Sequence, residues 1–265
     1  MQTFKTITFI GSLCLLSVLN GCALSTKDAR DPLENWNRGV QTFNDKVDDY
    51  ALKPVAKGYQ FITPQFVDNA VTHFFSNIDD IGVTLNDLLQ FKFKQSAQDG
   101  ARFLVNTVAG VGGLMDVAQK IDLPKHDEDF DQTLGFWGVP TGPYVVLPFL
   151  GPNSARGIGG KIGDTAMSPL IYVGYGVIPT GLSSLNRSFI TGGLAAVKAV
   201  DTRADLLSTE KIANEAAIDR YDFFKNSYLQ RRNYLVNDGN VTEEQLDFDE
   251  SDLDPDAKST SPSQQ

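Results

Sequence analysis

The residues of this chain best suited to chemistry lie near its start, in Leu19-Asn20-Gly21-Cys22. A short apolar run, a small residue and then a cysteine form the pattern of a lipoprotein cleavage site. Lys5 gives a sparse basic start, and residues 7–19 form an apolar core shorter than the roughly 20 residues that cross a bilayer. The chemistry expected is cleavage before Cys22, then acylation of its sulfur and of the new amino group. An ordinary secretory signal with an incidental cysteine is the competing reading. At about 0.8 kcal/mol per buried methylene, one acyl chain holds weakly and two or more hold stably, so an acylated Cys22 would keep the chain at a membrane surface. The other cysteine, Cys14, falls in the discarded signal, which leaves the mature chain no internal disulfide.

Elsewhere the chemistry thins out. His73 sits in an aromatic-rich stretch and reads as a half-buried packing residue. His126 lies in the charged run Lys125-His126-Asp127-Glu128-Asp129, and neither histidine has a partner at metal-ligand spacing. Asp127, Asp129 and Asp131 alternate like the opening of a calcium loop. Gln132 then stands where that loop needs glycine, and Gly138 where it needs a bidentate glutamate, so a solvated acidic loop is expected. There is no Gly-x-Ser-x-Gly elbow, and the glycines around Gly110, Gly157 and Gly174 match neither a phosphate loop nor a dinucleotide fingerprint. The expectation is a protein without cofactor or metal, and not an enzyme. A lipid hydrolase would need a nucleophile–base pair that the sequence does not display.

The elements that must carry these residues read as helices. Asp31-Pro32-Leu33-Glu34 combines a capping aspartate with proline and glutamate in the first turn. Behind it Leu33, Trp36, Val40, Phe43, Val47 and Tyr50 recur at steps of three and four, a helix expected to end before Pro54. A second helix starts at Thr63-Pro64, a third covers residues 81–90, a fourth 96–108, and a long one 210–236. No strand alternation or repeat stands out, so the fold class expected is all-α. Between these helices, residues 109–115, 139–151 and 170–179 are apolar yet broken by glycine and proline. Such backbone fits either buried loops in a soluble core or the lining of a cavity at membrane depth, and the residues alone leave both open.

The net charge of −10 is unevenly placed. From Asp238 onward nine acids face one base, Lys258, which accounts for eight of the ten negative charges and leaves the body nearly neutral. No basic stripe exists to neutralise phosphates, which excludes nucleic acid as a partner. Four segments follow: a signal peptide over 1–21, a lipidated linker over 22–30, a helical domain over 31–236 and a disordered acidic tail over 237–265.

Several blocks in consistent order resemble the VacJ/MlaA lipoproteins across about residues 28–235. They are Asp31-Pro32-Leu33-Glu34-Asn35-Trp36-Asn37-Arg38 followed by Phe43-Asn44, then Lys53-Pro54-Val55-Ala56, Phe74-Phe75-Ser76-Asn77, Asn86-Asp87-Leu88-Leu89-Gln90 and Arg102-Phe103-Leu104-Val105-Asn106-Thr107. The most distinctive stretch is 130–151, with Gln132-Thr133-Leu134-Gly135 and Gly142-Pro143-Tyr144-Val145-Val146-Leu147-Pro148. Trp36 departs from the family's usual phenylalanine, and the tail carries no family pattern. In lipoproteins that resemble this one, Ala23 after the cysteine favours the outer membrane. The resemblance implies a mostly helical ring in the inner leaflet of the outer membrane, around an amphipathic channel and beside a trimeric porin. It implies passage of misplaced phospholipid from the outer leaflet to a soluble periplasmic lipid-carrier protein, which maintains lipid asymmetry. Within that picture Phe43, Asn44, Gly110, Gly112 and Gly113 are expected near the passage, and Gly138, Pro140, Gly142 and Pro143 in a hinge or gating turn. A porin-associated tether without transport activity is the alternative of a different class.

Overall fold

The computed structural model describes residues 28–241. The signal peptide, Cys22 and the tail beyond residue 241 lie outside the described residues.

The first helix, α1, spans Glu34–Val47 and begins after Leu33, so Asp31 is not its cap. Asp31 is fully buried instead, accepting a hydrogen bond from Asn37 Nδ2 at 2.8 Å and another from the Tyr221 hydroxyl. A carboxylate with such donors gains more from them than from capping a helix in water. The chain does not stop before Pro54. It widens into a π-helical turn, Asp48–Leu52, and continues as α2, Lys53–Ile62. In that turn Lys53 N–H bonds the Asp48 carbonyl five residues back, which accommodates the proline ring and its missing donor.

The expected second and third helices are one, α3, Gln65–Leu89. A tight turn with Phe91 in the left-handed region (φ 61°) folds the chain back into α4, Phe93–Val108. A glycine turn and a 3-10 turn, Ala118–Ile121, lead to the short α5, Phe130–Phe136, capped by Asp129, whose Oδ1 accepts from Gln132 N at 2.9 Å.

The all-α expectation needs one amendment: residues 139–151 lead into a small hairpin. Strand β1, Tyr144–Leu147, pairs antiparallel with β2, Gly151–Ser154, in the register Tyr144 with Ser154 and Leu147 with Gly151. A four-residue apolar run bounded by glycine and proline is too short for periodicity to assign. Helix α6, Ala155–Met167, is capped by Ser154, whose Oγ accepts from Gly157 N at 3.0 Å. Then follow α7, Pro169–Tyr175, α8, Ser184–Ala216, and α9, Arg220–Val236. The single long helix expected over 210–236 is therefore broken. Asp219 takes the N-cap of α9, accepting from Tyr221 N at 2.8 Å and Asp222 N at 3.3 Å.

Element contacts close a circuit. Helix α1 packs on β1, β2 on α9, α9 on α5, α5 on α3, α3 on α8, α8 on α2, and α2 returns to α1 through the π turn. The apolar core is small and sits to one side of this ring. Val40, Tyr144, Val146 and Tyr221 form it, with Tyr228 and Leu229 packed against them. Two asparagines on α1 pin the hairpin there. Asn37 donates to the Tyr144 carbonyl (3.1 Å) and accepts from Val146 N (2.7 Å); Asn44 donates to the Leu147 carbonyl (2.9 Å) and accepts from Phe149 N (2.8 Å). Seven residues of helix and three of strand both advance about 10 Å, so the two amides match the free edge of β1 in register.

Candidate functional site

The polarity of the ring is inverted. Among the described residues nineteen polar or charged side chains are buried against nine apolar ones, while large apolar side chains cover the outside. Phe61 is 90% exposed, Val108 83% and Phe189 76%. Scattered exposed apolar residues are ordinary, but a buried charged interior beneath an apolar exterior is not how a water-surrounded domain lowers its free energy. Helix α4 shows the arrangement most plainly: Ser96, Asp99, Arg102 and Asn106 face in at helical spacing, and Phe93, Leu104 and Val108 face out. Among the described residues no helix is long and apolar enough to cross a membrane.

Inside, a cavity of about 510 Å³ is walled by α3, the 125–132 segment, the C-terminal half of α6, α8 and α9. Seven carboxylates and four cations line it. Some are spent on one another. Lys198 on α8 pairs with Asp79 on α3 at 2.7 Å, and Arg232 on α9 clamps Asp129 at 2.7 Å and reaches Asp131. Lys125 pairs with Asp80 and donates to the Ser76 carbonyl at 3.1 Å. Arg231, Asp127 and Asp205 also line the cavity, and their side chains have no partner among the described residues. Burial works against the charge on Asp129, but the Arg232 guanidinium outweighs it and holds this carboxyl below its usual range. At the α8 wall the balance reverses. Burial, then the neighbouring carboxylates Asp201 and Asp68, push Asp205 up.

The acidic loop expected to be solvated is built into this wall. Asp131 is buried, with Arg156 Nε at 2.6 Å and Arg232 Nε at 2.6 Å on its two oxygens. His126 is likewise not a free loop residue, since its Nδ1 lies 2.8 Å from Asp99 Oδ2. Asp99 and Asp87 are both fully buried. Burial and the nearby Asp99 together push the Asp87 carboxyl up to about 8. Among the described residues no cluster of His, Cys, Asp and Glu is arranged to hold a metal ion.

The acidic loop supplies Asp127, Asp129 and Gln132 to the lining, whereas none of the residues expected at the passage or the hinge lines this cavity. Phe43 packs edge-on against Phe149 (5.3 Å between centroids), and Asn44 clasps the hairpin turn as described. Gly110, Gly112 and Gly113 make the turn after α4. A Cβ on Gly110 would fall 2.3 Å from the Asn106 and Met115 carbonyl oxygens. Asn106 itself accepts from Val117 N and Ala118 N, both at 2.8 Å, and so braces the segment beyond the turn. Gly138, Pro140, Gly142 and Pro143 form the approach to β1. Gly142 has φ +70°, and the Thr141 and Pro143 carbonyls accept from Arg156 N and Ala155 N, both at 3.1 Å. Asn44 lines a second cavity of about 380 Å³, between Leu52, Phe149, Leu206 and Phe224, where Arg203 grips Asp48 through two 2.6 Å contacts. The lining residues of α8 and α9 are not among those singled out from the sequence, although a helix was expected over 210–236. Lys198, Asp201 and Asp205 at steps of three and four were the available sign of one polar helix face.

A helical ring, apolar outside and charged within, defines a class of protein that faces lipid rather than water. Within that class, the model of the MlaA lipoprotein family matches residues 29–235, and the chain belongs to that family. It is 33% identical over 233 residues to the intermembrane phospholipid transport system lipoprotein MlaA of Escherichia coli, covering 85% of this chain and 87% of that one. The corresponding lipoprotein of Haemophilus influenzae is 31% identical over 252 residues, covering 90% of this chain and 94% of the relative. An uncharacterised protein of Rickettsia conorii is 37% identical over 169 residues, 63% of this chain, and the match spans 66% of that relative's length. A solved structure described as a structural basis for maintenance of bacterial outer membrane lipid asymmetry superposes with a TM-score of 0.66. It is 31% identical and covers 78% of this chain and 99% of its own.

Proposed function

We propose that this lipoprotein serves intermembrane phospholipid transport and the maintenance of outer-membrane lipid asymmetry by letting misplaced phospholipid pass its charged interior. The observation that carries the reading is the inverted polarity around the 510 Å³ cavity. Drawing a phospholipid with some 30 methylenes into water would cost on the order of 20 kcal/mol at about 0.8 each. An apolar outer wall lets the chains stay in hydrocarbon while the headgroup meets the charges lining the cavity, so no step requires that full cost. Passage of this kind is passive. Acylated Cys22 would hold the ring at the periplasmic face of the outer membrane, beside a trimeric porin, and a soluble periplasmic carrier would take the lipid onward. The approach to β1 is assigned the gating role. Valine at Gly142 would have to adopt φ +70°, with its Cβ 2.9 Å from the Ala155 Cβ.

The test is a strain lacking the protein, complemented with wild type, Cys22→Ala or Gly142→Val. Wild type should lower outer-leaflet phospholipid, and both variants should leave it high, with Gly142→Val still folded and membrane-bound. Soluble Cys22→Ala protein with full function would refute the anchor, and outer-leaflet phospholipid as low in Gly142→Val as in wild type would refute the gate. A tether without transport predicts no effect of any variant that keeps the ring and its partners together.

A further inference from the structure

We propose that the cavity selects zwitterionic phospholipids bearing an ammonium group over anionic ones, with Arg231 receiving the phosphate and the α8 wall receiving the ammonium. This inference rests on the transport reading above and specifies its substrate class. Carboxylates outnumber cations in the lining, and the pairing pattern decides what is left to meet a ligand. Lys125, Lys198 and Arg232 are held by Asp80, Asp79 and Asp129, which leaves Arg231 as the lining cation without a side-chain partner among the described residues. Among the described residues Asp127 and Asp205 are the lining acids whose side chains have neither an ion pair nor a hydrogen bond. Asp201 adds an independent sign. It is 4% exposed and lines the same wall, yet among the described residues its two oxygens accept only hydroxyl hydrogens, from Tyr59 at 3.0 Å and Thr72 at 3.3 Å. A buried carboxylate without a cationic partner is costly, and an ammonium entering the cavity would supply one. One free cation and an under-neutralised acidic wall match a phosphate linked to an ammonium. An anionic headgroup without that ammonium would bring its charge against Asp201 and Asp205 with nothing to offset them.

The experiment uses the full lipidated chain reconstituted in vesicles. The readout is the transfer rate of labelled phosphatidylethanolamine and of labelled phosphatidylglycerol with identical acyl chains. The ethanolamine lipid should move faster by about tenfold, the scale of one uncompensated like-charge contact. Asp205→Asn with Asp127→Asn should narrow the ratio by speeding the glycerol lipid. Arg231→Gln should slow both lipids alike, because the phosphate is common to them. Equal wild-type rates would overturn the selectivity while leaving transport intact. Transfer of neither lipid would overturn the transport reading, and the selectivity with it. The native lipid carried through detergent-free purification gives a second measure without any variant: enrichment in phosphatidylethanolamine over the surrounding membrane supports the inference, and equal composition opposes it.

Discussion

The α3–α4 hairpin and the α1–β-hairpin–α9 corner obey opposite rules. In the corner, Tyr144, Val146, Val40 and Tyr221 bury apolar surface as in any water-soluble core. In the α3–α4 hairpin the interior is mostly Asp80, Asp87, Asp99, Arg102 and Asn106, with Phe75 and Val83 among them, and Phe66, Leu88, Phe93 and Leu104 stand outside. The corner is held by area removed from water. The hairpin is held by ion pairs and amide contacts shielded from water, and so it depends on each partner being present. The second kind of region suits surroundings that are themselves apolar.

The contrast breaks most readily at Arg102, which is 1% exposed. It donates to Asp116 at 2.8 Å and to the Leu123 carbonyl, with Asp80 3.7 Å away. Arg102→Ala should cost about 3–5 kcal/mol in a denaturant titration in detergent, because it leaves buried carboxylates uncompensated. A loss under 1 kcal/mol would mean the interior is wetter than described. In the corner the hydroxyls separate two effects. Tyr221 donates to the buried Asp31, so Tyr221→Phe should cost about 1.5–3 kcal/mol. The Tyr144 hydroxyl is buried with no partner among the described residues, so Tyr144→Phe should be neutral or stabilising by up to about 1 kcal/mol.

Acidity tests the hairpin in another way. The Asp87 carboxyl is raised in the folded state from 3.8 to about 8, by burial first and then by Asp99. Its protonated form is the one that folding favours. The stability it contributes is full below about pH 4 and declines as pH rises through the folded value near 8. Unfolding titrations across pH 5–9 should show stability falling, with a limiting slope of about 1.4 kcal/mol per pH unit per group. Asp87→Asn should flatten that fall. A slope unchanged by the substitution would place the titration elsewhere.

The same contrast explains what the sequence could disclose. The apolar periodicity found α1 and α3, but most of the α1 stripe faces outward: Leu33, Trp36, Phe43 and Tyr50 are exposed and Val40 is the member that reaches the core, while Asn37 and Asn44 point in. Periodicity reports that a helix has two unlike faces and does not report which one meets solvent. Helix α8 has apolar residues on several sides, Leu185, Ile190 and Leu206 among them, so it gave no clear stripe. The β-hairpin is legible only through Asn37 and Asn44, whose spacing along α1 matches a strand edge that no local pattern announces. The cavity was out of reach because its charges come from segments as distant as Asp79 and Arg231, and only the closed circuit of helices brings them together.

The most direct test of an apolar outside and a polar inside is site-specific fluorescence quenching in vesicles. Single-cysteine variants Phe61→Cys, Phe189→Cys and Asp205→Cys would each be labelled with one small fluorophore. Nitroxide-bearing lipid should quench the first two strongly, and aqueous iodide should quench only the third. If iodide reached Phe61→Cys and Phe189→Cys as readily as Asp205→Cys, with no effect of labelled lipid, the ring would be standing in water and the account would be wrong.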